Sequence, residues 1–503
     1  MGWFFAAVLL GVLLLGLLLT HRLRRSRRPD EPPLDKGLIP WLGHALEFGQ
    51  DAASFLSDMQ KKHGDIFTIQ AAGKFVTVLL DPRSYDAVLW ESSSKLDFGQ
   101  YARILMDRMF DVQLPDYDPK KEKAMLKTTL QNKNLTTLTQ AVSFNLRTIL
   151  LDSSKVHGQW EEEGLFHLSY STMLRAGYLT LYGNESKNYE DVSSQAKDRA
   201  HSLEVYQRFY ELDRLLMKAA RSNLTTAERK KITICKQDLW KILSVEKLNS
   251  RANRSVWLDS YKQHLVDLGL DEDMQTKAMV LQLWSTQNNA GPAVFWLLLF
   301  LLKYPSAMAA VQGEMEKILK SKNRATGKVD WISQEILDGM HIFDSALKET
   351  LRMTAAPFIS REVLQDMSLK LADGREYHLR KGDRLCLFPF ISPQMDPEIY
   401  EEPEVFKYDR FLNSDGTEKT DFYKGGQKLK YYTMPWGGGL NVCIGKDFAI
   451  NSIKLCVFLL LSSLDLELKD PKAEIPGFDK ERYGFGMLQP DKEVIVRYKR
   501  KDQ

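Results

Sequence analysis

A glycine-rich loop that ends in a single cysteine most constrains what this chain can fold into. Residues 436–445 read Trp-Gly-Gly-Gly-Leu-Asn-Val-Cys-Ile-Gly, and an apolar helical pattern follows them. Three consecutive glycines let the backbone adopt φ > 0 and approach a large, flat group closely. Backbone N–H groups at the start of a helix favour the thiolate form of Cys443. The loop therefore predicts that Cys443 is the axial ligand of a haem iron, with Trp436 beside it.

This loop resembles the haem-binding loop of the cytochromes P450, where an aromatic residue, two spaced glycines, an arginine, the cysteine and a last glycine recur. The matching positions are Trp436, Gly437, Gly439, Cys443 and Gly445. Asn441 stands where the family usually has the arginine. The resemblance implies that these residues, Asn441 included, contact haem b, and that Cys443 binds its iron.

A second pattern concerns three charged residues ahead of the loop. Glu349 and Arg352 lie three apart in a helical pattern and so share one helix face. An isolated pair of this kind contributes little at a surface. The family resemblance implies that both pair with Arg410 in a buried structural triad that braces the cysteine loop, where each charge needs its partner. With motifs in this order, the chain is identified as a member of the P450 family.

The rest of the chain predicts a mostly α fold with a minor β portion. Helical periodicity dominates from about Tyr85 to Leu351, and residues 51–63 also predict a helix. Alternating runs at 67–70 and 75–80 predict strands, and further strands are expected after Arg352. The apolar run 292–302 is too short to span a membrane and predicts a buried core helix. We expect one catalytic domain, 37–503, with the cytochrome P450 fold.

The first residues predict a membrane anchor. Residues 1–20 carry no charge and as a helix would span about 30 Å at roughly 1.5 Å per residue. Five arginines follow within residues 22–28, and no small-residue cleavage site follows the apolar run. The positive-inside tendency places that flank in the cytosol. We predict a transmembrane anchor at 1–20, a basic and proline-rich linker at 21–36, and a catalytic domain on the cytosolic face of the endoplasmic reticulum membrane. A cleaved leader with a secreted body is the alternative, and it leaves the arginines unexplained.

Composition narrows the possible partners. A formal net charge of +3 is too small to indicate nucleic-acid binding. The four cysteines have no paired spacing, which favours a reducing compartment without disulfides. We expect a monomer whose partners are a small lipid substrate and the membrane.

The segment 284–292 indicates which chemistry the haem performs. Oxygen-activating P450s usually carry an acid followed by a threonine midway along their longest helix, to relay protons. Here Gly291 and Pro292 take that place, and neither donates a proton. The nearby amides of Gln287, Asn288 and Asn289 bind oxygen atoms but are poor proton sources. A site without a relay suits a substrate that brings its own oxygen–oxygen bond.

The resemblance therefore implies an isomerase acting on a lipid endoperoxide with haem alone, without dioxygen, NADPH or a reductase. A side activity on hydroperoxides is also implied. We expect Asn289 to be catalytic, by a hydrogen bond to the substrate. A reductase-dependent sterol monooxygenase is an alternative, because sterol hydroxylases of this family also have proline in place of the threonine. A non-catalytic haem carrier or sensor is the third possibility.

Further residues are predicted to contact the substrate. Arg361 and Arg384 lie in the β-rich region after the triad helix, where they could neutralise haem propionates or a substrate carboxylate. Arg108 lies where the family places the loop that roofs the pocket. Residues 484–488 resemble the hairpin that closes the pocket. The remaining predicted contacts are Leu114, Trp284, Ser360, Phe485 and Leu488, together with Asn289.

Overall fold

The computed structural model describes residues 10, 11, 16, 26–115, 118–151, 158–326 and 334–501, without the side chains of 321–326. The predicted anchor at 1–20 lies outside the described residues apart from three positions, and so does the first part of the predicted linker, 21–25.

Helices make up most of the described chain. The first eight are α1 Ala45–Gln50, α2 Ala52–His63, α3 Asp86–Leu89, α4 Gly99–Phe110, α5 Pro119–Leu130, α6 Lys133–Leu150, α7 Leu165–Tyr182 and α8 Val192–Ala220. The others are α9 Thr226–Ile242, α10 Val245–Ser250, α11 Val256–Asp267, α12 Glu272–Gln287, α13 Ala290–Lys303, α14 Pro305–Thr326, α15 Gln334–Asp338, α16 His341–Thr354 and α17 Lys446–Ser463. The helix predicted at 51–63 is confirmed as α2, whose first turn is capped by the Asp51 carboxylate.

The strands form one main sheet and three small ones. They are β1 Leu34–Asp35, β2 Ile66–Ala71, β3 Lys74–Leu79, β4 Leu96–Asp97, β5 Glu161–Gly164, β6 Ile359–Val363, β7 Met367–Lys370, β8 Glu376–Leu379, β9 Arg384–Leu387, β10 Tyr423–Lys424, β11 Gln427–Lys428, β12 Leu464–Leu468 and β13 Ile495–Arg500. The main sheet has the order β1-β2-β3-β9-β6-β4, and β12-β13-β5 form a second sheet. The predicted fold class, mostly α with a minor β portion, is confirmed.

The second half of the segment predicted as a linker is bonded to the body. Glu31 is 2% exposed and accepts a hydrogen bond from Arg380 at 2.9 Å. The carbonyl of Pro33 accepts a hydrogen bond from the Thr68 N–H at 2.7 Å, and β1 then pairs in parallel with β2. Residues 26–36 therefore lie against the main sheet, because backbone pairing and one buried ion pair hold them there.

The centre of the fold is α13, which contains the apolar run 292–302. Every residue from Gly291 to Leu301 is buried, so this helix is apolar all round, as expected for a core helix. It packs against α7, α16 and α17. Among the described residues no single helix is long and apolar enough to cross a membrane. Only α12 and α13 taken together with residues 305–320, a pair bent by 110°, meet that requirement by length and composition.

Candidate haem-thiolate site

The cysteine loop is held by its own backbone just before α17. The N–H of Cys443 donates to the carbonyl of Trp436 at 2.8 Å, which closes the loop. Gly437 has φ 71° and Gly439 has φ 59°, in the region that favours glycine. A Cβ at Gly439 would lie 2.4 Å from the carbonyl oxygen of Leu89 in α3, so only glycine allows the loop to approach that helix.

Cys443 differs from the other three cysteines of the chain because it is exposed while they are buried. Its thiol faces two adjoining cavities of about 290 Å³ and 340 Å³. Although the residue as a whole is exposed, the protein packed around its sulfur desolvates it and raises the pKa of the thiol above its ordinary value, and the backbone N–H of Gly445 lowers the pKa in part. The N–H at the helix start therefore favours the thiolate, as expected, but desolvation has the larger effect on this thiol. A bound cation would be needed to hold the thiolate form.

The two cavities have wall residues in common, both from the cysteine loop and from α13. Trp436, Asn441 and Cys443 line both on the loop side, and Asn289 and Ala290 line both on the side of α13. Gly445 lines the larger one, and a Cβ there would meet nothing within 4 Å. The space is therefore a slot between the loop and α13, open to a flat group at the sulfur.

The helix across the slot from Cys443 is broken. α12 ends at Gln287 and α13 begins at Ala290, with Asn288 and Asn289 between them. Pro292 causes the break, because it has no N–H to donate to the Asn288 carbonyl and its ring would clash with that carbonyl. Gly291 lets α7 come close, since a Cβ there would lie 2.5 Å from the Tyr170 ring. The distortion predicted from Pro292 is present.

The side-chain amides of Gln287, Asn288 and Asn289 at this break have different surroundings. Gln287 packs against Gly177, and its nitrogen donates to the Thr286 hydroxyl at 3.2 Å. The oxygen of Asn288 accepts from the Tyr170 hydroxyl at 3.0 Å, and Asn288 is 3% exposed. Of the three, Asn289 alone lines both cavities at Cys443, whereas Gln287 lines one and Asn288 neither.

The amide of Asn289 is fixed at one end. Its oxygen accepts from the Met487 N–H at 2.9 Å, and a Cβ at Gly486 would lie 2.4 Å from that same oxygen. Among the described residues the bond from Met487 is the one side-chain hydrogen bond of Asn289, and its nitrogen makes none. The –NH₂ group is therefore a positioned donor at the wall of the slot.

Two cations face the slot where the loop has Asn441. Arg361 is 4% exposed, lines the smaller cavity, and its Nη2 has no hydrogen-bond partner among the described residues. Burial lowers the pKa of its guanidinium. Lys123 of α5 lines the larger cavity and donates to the Leu440 carbonyl. Burial, followed by the charge of Lys127, lowers the pKa of Lys123. Both groups lack a carboxylate partner in the described chain, as expected of cations that await an anion.

The structure brings the three predicted triad charges together. Arg352 donates to both oxygens of Glu349, at 2.7 and 2.9 Å, and Arg410 donates to one of them at 2.8 Å. Glu349 and Arg352 are fully buried, and the side chain of Arg410 is 7% exposed. Arg352 also donates to the carbonyls of Gln394 and Pro403 at 2.6 and 2.7 Å. The buried charges are thus paired and hydrogen-bonded, as burial requires.

Gln394 connects this triad to the cysteine loop. Its nitrogen donates to the carbonyls of Arg352 and Ala355 at 2.9 and 2.7 Å. Its oxygen accepts from the Met434 N–H at 3.3 Å, two residues before Trp436. The side chain is fully buried, so α16 and the start of the loop are joined through one amide.

The chain is similar in sequence to known haem-thiolate proteins along most of its length. The family profile described as Cytochrome P450 matches residues 32–496. This chain belongs to the cytochrome P450 family. It is 57% identical over 475 residues to prostacyclin synthase of Bos taurus, covering 94% of this chain and 95% of that protein. The Homo sapiens prostacyclin synthase is also 57% identical, over 477 residues. The 7-alpha-hydroxycholest-4-en-3-one 12-alpha-hydroxylase of Oryctolagus cuniculus is 40% identical over 499 residues, with 98% of both chains covered.

Several residues predicted to contact substrate do not line either cavity of this P450. Arg384 pairs with Glu362, and its guanidinium lies 3.9 Å from the centre of the Tyr101 ring. Arg108 donates to the Ala220 carbonyl at 3.3 Å. Ser360 lies between two lining residues, Ile359 and Arg361, but its hydroxyl contacts Cys386. Their contact with substrate stays a prediction.

The four apolar members of that set also lie behind the walls. Trp284 packs on Phe110 with ring centres 5.6 Å apart. Leu114 and Leu488 are buried in the core, and the carbonyl of Leu488 accepts from Trp296 at 2.7 Å. Phe485 packs against the core, whereas the next two residues of its hairpin, Gly486 and Met487, line the slot. Gly439 likewise contacts α3 instead of the slot.

Other wall residues of the P450 slot were not predicted. Phe98, Phe358 and Ile453 come from three separate parts of the chain, where each looks like an ordinary core residue. Lys123 lies in a basic stretch of α5 and cannot be distinguished there from its solvated neighbours. Folding, not local pattern, brings these residues to the cysteine.

Proposed function

We propose that this protein is an isomerase that converts the endoperoxide prostaglandin H2 to prostacyclin at a haem-thiolate site, without dioxygen or NADPH. The observation that carries this conclusion is the 57% identity to prostacyclin synthases along 94% of the chain. The sterol hydroxylase relative is 40% identical over a similar length. The geometry of the broken helix supports the same reaction.

The residues at the slot fit haem b. Cys443 supplies the sulfur ligand, and Trp436 lies beside it. Arg361, with its unpartnered Nη2, and Lys123 are the two cations that would pair with the two propionates, since Asn441 has no charge. When bound, the haem would supply a ferric Lewis acid and one-electron partner to a substrate oxygen. The triad and Gln394 hold the loop that carries Cys443 in place.

Asn289 orients the substrate in this proposal. Its side-chain carbonyl accepts from the Met487 N–H, so its –NH₂ is left to donate to one endoperoxide oxygen. A donor that is already positioned stabilises developing negative charge at little reorganisation cost. The reaction keeps every atom: the oxygen–oxygen bond breaks, one oxygen closes a ring on the neighbouring double bond, and a proton moves from carbon to the other oxygen. No external electron is required.

The absence of a proton relay at the break agrees with this chemistry. Gly291 and Pro292 stand where a relay would be. The Tyr170 ring occupies the space that a side chain at Gly291 would need. Asn288 is turned into a buried network with Tyr170 and Asp213, away from the slot. An isomerisation does not need a proton relay at this point.

The cellular setting belongs to the same proposal. Residues 1–20 would anchor the protein once in the endoplasmic reticulum membrane, with the arginine-rich flank and the catalytic domain on the cytosolic face. The apolar length of the segment and the five arginines after it support this topology. The enzyme would act as a monomer and need no reductase.

Incubation of purified holoprotein with prostaglandin H2, and separately with a 7α-hydroxylated sterol, tests the function. We expect prostacyclin from the endoperoxide in the absence of NADPH and reductase, and no sterol product when both are added. Sterol hydroxylation that depends on NADPH and reductase, with no conversion of the endoperoxide, would instead establish the monooxygenase alternative. Intact haem without either reaction would favour the carrier.

A further inference from the structure

A buried carboxylate lies behind the wall of the slot, in α8. Asp213 is fully buried and lines neither cavity at Cys443. A carboxylate in such a place is unfavourable unless it is paired and hydrogen-bonded. The side chains that contact it come from separate parts of the chain and are those of Tyr170, Arg482 and Gln489.

Two of these side chains hold the ends of one loop, residues 482–489. Arg482 donates to Oδ2 of Asp213 at 2.6 Å, and the amide nitrogen of Gln489 donates to the same oxygen at 3.0 Å. Burial opposes the charged form of Arg482, but the charge of Asp213 compensates, and the pKa of Arg482 is raised. Both ends of the loop are therefore fixed on one charged group that is shielded from water.

The middle of the 482–489 loop carries the groups that hold the Asn289 amide. The oxygen of Asn289 accepts from the Met487 N–H at 2.9 Å, and a Cβ at Gly486 would lie 2.4 Å from that oxygen. Backbone hydrogen bonds to residues 354–358, between 2.8 and 3.3 Å long, support the loop as well. A displacement of the loop would move the Met487 N–H, and the amide would lose its fixed orientation.

The same carboxylate is connected to the other partner of this hydrogen bond through Tyr170. The Tyr170 hydroxyl lies 3.0 Å from the Asn288 oxygen and 3.3 Å from Oδ2 of Asp213, so its one proton has two acceptors. Burial, followed by the charge of Asp213, raises the pKa of Tyr170 well above its ordinary value, so the hydroxyl keeps this proton. Asn288 directly precedes Asn289 at the helix break. Asp213 is thus connected to both partners of the bond between Asn289 and Met487.

We propose that Asp213 is a positioning residue: it holds the two backbone segments that meet at Asn289, and so directs the –NH₂ group of that residue into the slot. This inference rests on the isomerase function proposed above, in which Asn289 donates to the substrate. Asp213 does not contact the slot and acts only through Asn289. A donor is most effective when a second layer of hydrogen bonds fixes it before the substrate binds.

Infrared spectroscopy of carbon monoxide on the ferrous full-length holoprotein tests this proposal without turnover. A donor beside the bound ligand shifts the C–O stretching band, and a donor with several orientations broadens it. We expect one narrow band in the parent protein and a shifted band in Asn289→Ala. In Asp213→Asn we expect a band that is broadened or shifted towards that of Asn289→Ala.

The matched control is Asp198→Asn in the same helix. Asp198 forms a similarly buried ion pair with Arg251, at 3.1 Å, and lines neither cavity at Cys443. Its replacement weakens a buried ion pair of the same kind, so it shows what a loss of stability alone does to the spectrum. We expect Asp198→Asn to keep the parent band.

A double-mutant cycle with the endoperoxide measures the same dependence by kinetics. We expect Asp213→Asn to lower kcat/KM by about fivefold or more, but by less than about twofold when Asn289 is already alanine. A general loss of folded enzyme would lower kcat/KM equally in both backgrounds. Gln489→Met and Tyr170→Phe replace Asp213→Asn if that variant fails to load haem, because each leaves Asp213 paired with Arg482.

A parent-like C–O band in a haem-loaded Asp213→Asn, or in its two replacements, would overturn the proposal. So would a parent-like band in Asn289→Ala, a similar change of the band in Asp198→Asn, or equal losses of kcat/KM in the two backgrounds. The expected bands in a parent protein that does not convert the endoperoxide would support the positioning by Asp213 and reject the isomerase function.

Discussion

At the scale of single residues, the catalytic prediction depends on how one amide is held. Asn289 has its oxygen fixed by the Met487 N–H, while its nitrogen is left at the wall of the slot. The neighbouring Asn288 and Gln287 are engaged elsewhere. Only Asn289 therefore combines a fixed orientation with an available donor.

We expect Asn289→Ala to lower kcat/KM for the endoperoxide by about 1–3 kcal/mol, roughly five- to 150-fold, because one positioned hydrogen bond is lost. Asn289→Asp is the matched variant, since it keeps an acceptor for Met487 and removes the donor. We expect it to lose activity to a similar extent with normal haem content. Full turnover by Asn289→Asp would show that the donor is not used. Steady-state kinetics measure both.

His201 gives a prediction about pH. Burial, followed by the charges of Arg251 and Lys247, lowers the pKa of His201 to about 4. Since the unfolded pKa is about 6.5, the neutral folded form stabilises the protein above that pH, and this contribution is lost as the pH falls towards 4.

We expect the free energy of unfolding to fall between pH 7 and pH 5 by on the order of 1 kcal/mol less in His201→Gln than in the parent protein. Denaturant unfolding at the two pH values measures the difference. The exposed His341→Gln serves as the control. An identical pH dependence in the parent and in His201→Gln would contradict the assigned protonation state.

At the scale of elements, the broken helix and the contacts behind the cysteine loop position the site. The sequence predicted that Pro292 distorts the distal helix, but it could not show which amide would face the haem. In an unbroken helix successive residues point about 100° apart, so at most one of three neighbours faces a given wall. The orientation of Asn289, which the sequence analysis had proposed as the catalytic amide, is set by Gly486 and Met487, which are remote in sequence and close in space.

Removal of the amide that links the triad to the loop is expected to loosen the haem. Gln394→Ala loses bonds to Arg352, Ala355 and Met434 in a fully buried place. We expect a loss of stability of about 2–4 kcal/mol and faster release of haem to apomyoglobin. The control is Gln427→Ala in the exposed hairpin of β10 and β11. Equal haem release from both variants would show that Gln394 does not brace the loop.

The triad itself should be needed for assembly. Glu349→Ala leaves the buried Arg352 and Arg410 without their carboxylate, which typically costs about 3–5 kcal/mol. We expect little haem-loaded protein, as measured by the pyridine haemochrome per unit of purified chain. Normal yield and haem content would mean that the carbonyls of Gln394 and Pro403 are sufficient partners for Arg352.

At the scale of the whole molecule, local pattern explains the elements better than the contacts between them. Residues 67–70 and 75–80 were predictable as strands from their alternation, and they form β2 and β3. The parallel pairing of β3 with β9 joins segments far apart in sequence and has no local signal. The same holds for Arg384, predicted to face the substrate but paired with Glu362 across β6 and β9.

The position of the site was predictable from the cysteine motif, because the spacing of its residues is specific. The cations proposed to take the place of the usual arginine were less predictable. Arg361 was proposed from its position in the β-rich region, whereas Lys123 was missed because its burial results from the approach of α5 to the loop. Burial and the lack of a carboxylate partner are properties of the folded chain, so they appear only in the structure.

The fate of the two endoperoxide oxygens distinguishes the proposed isomerisation from a reaction that uses dioxygen. Prostaglandin H2 carrying ¹⁸O at both bridging positions would be given to the purified holoprotein in the absence of dioxygen, NADPH and reductase, and the prostacyclin analysed by mass spectrometry. The account predicts rapid conversion with both labelled atoms kept in the product. A requirement for NADPH and dioxygen, or the loss of either labelled oxygen, would contradict it.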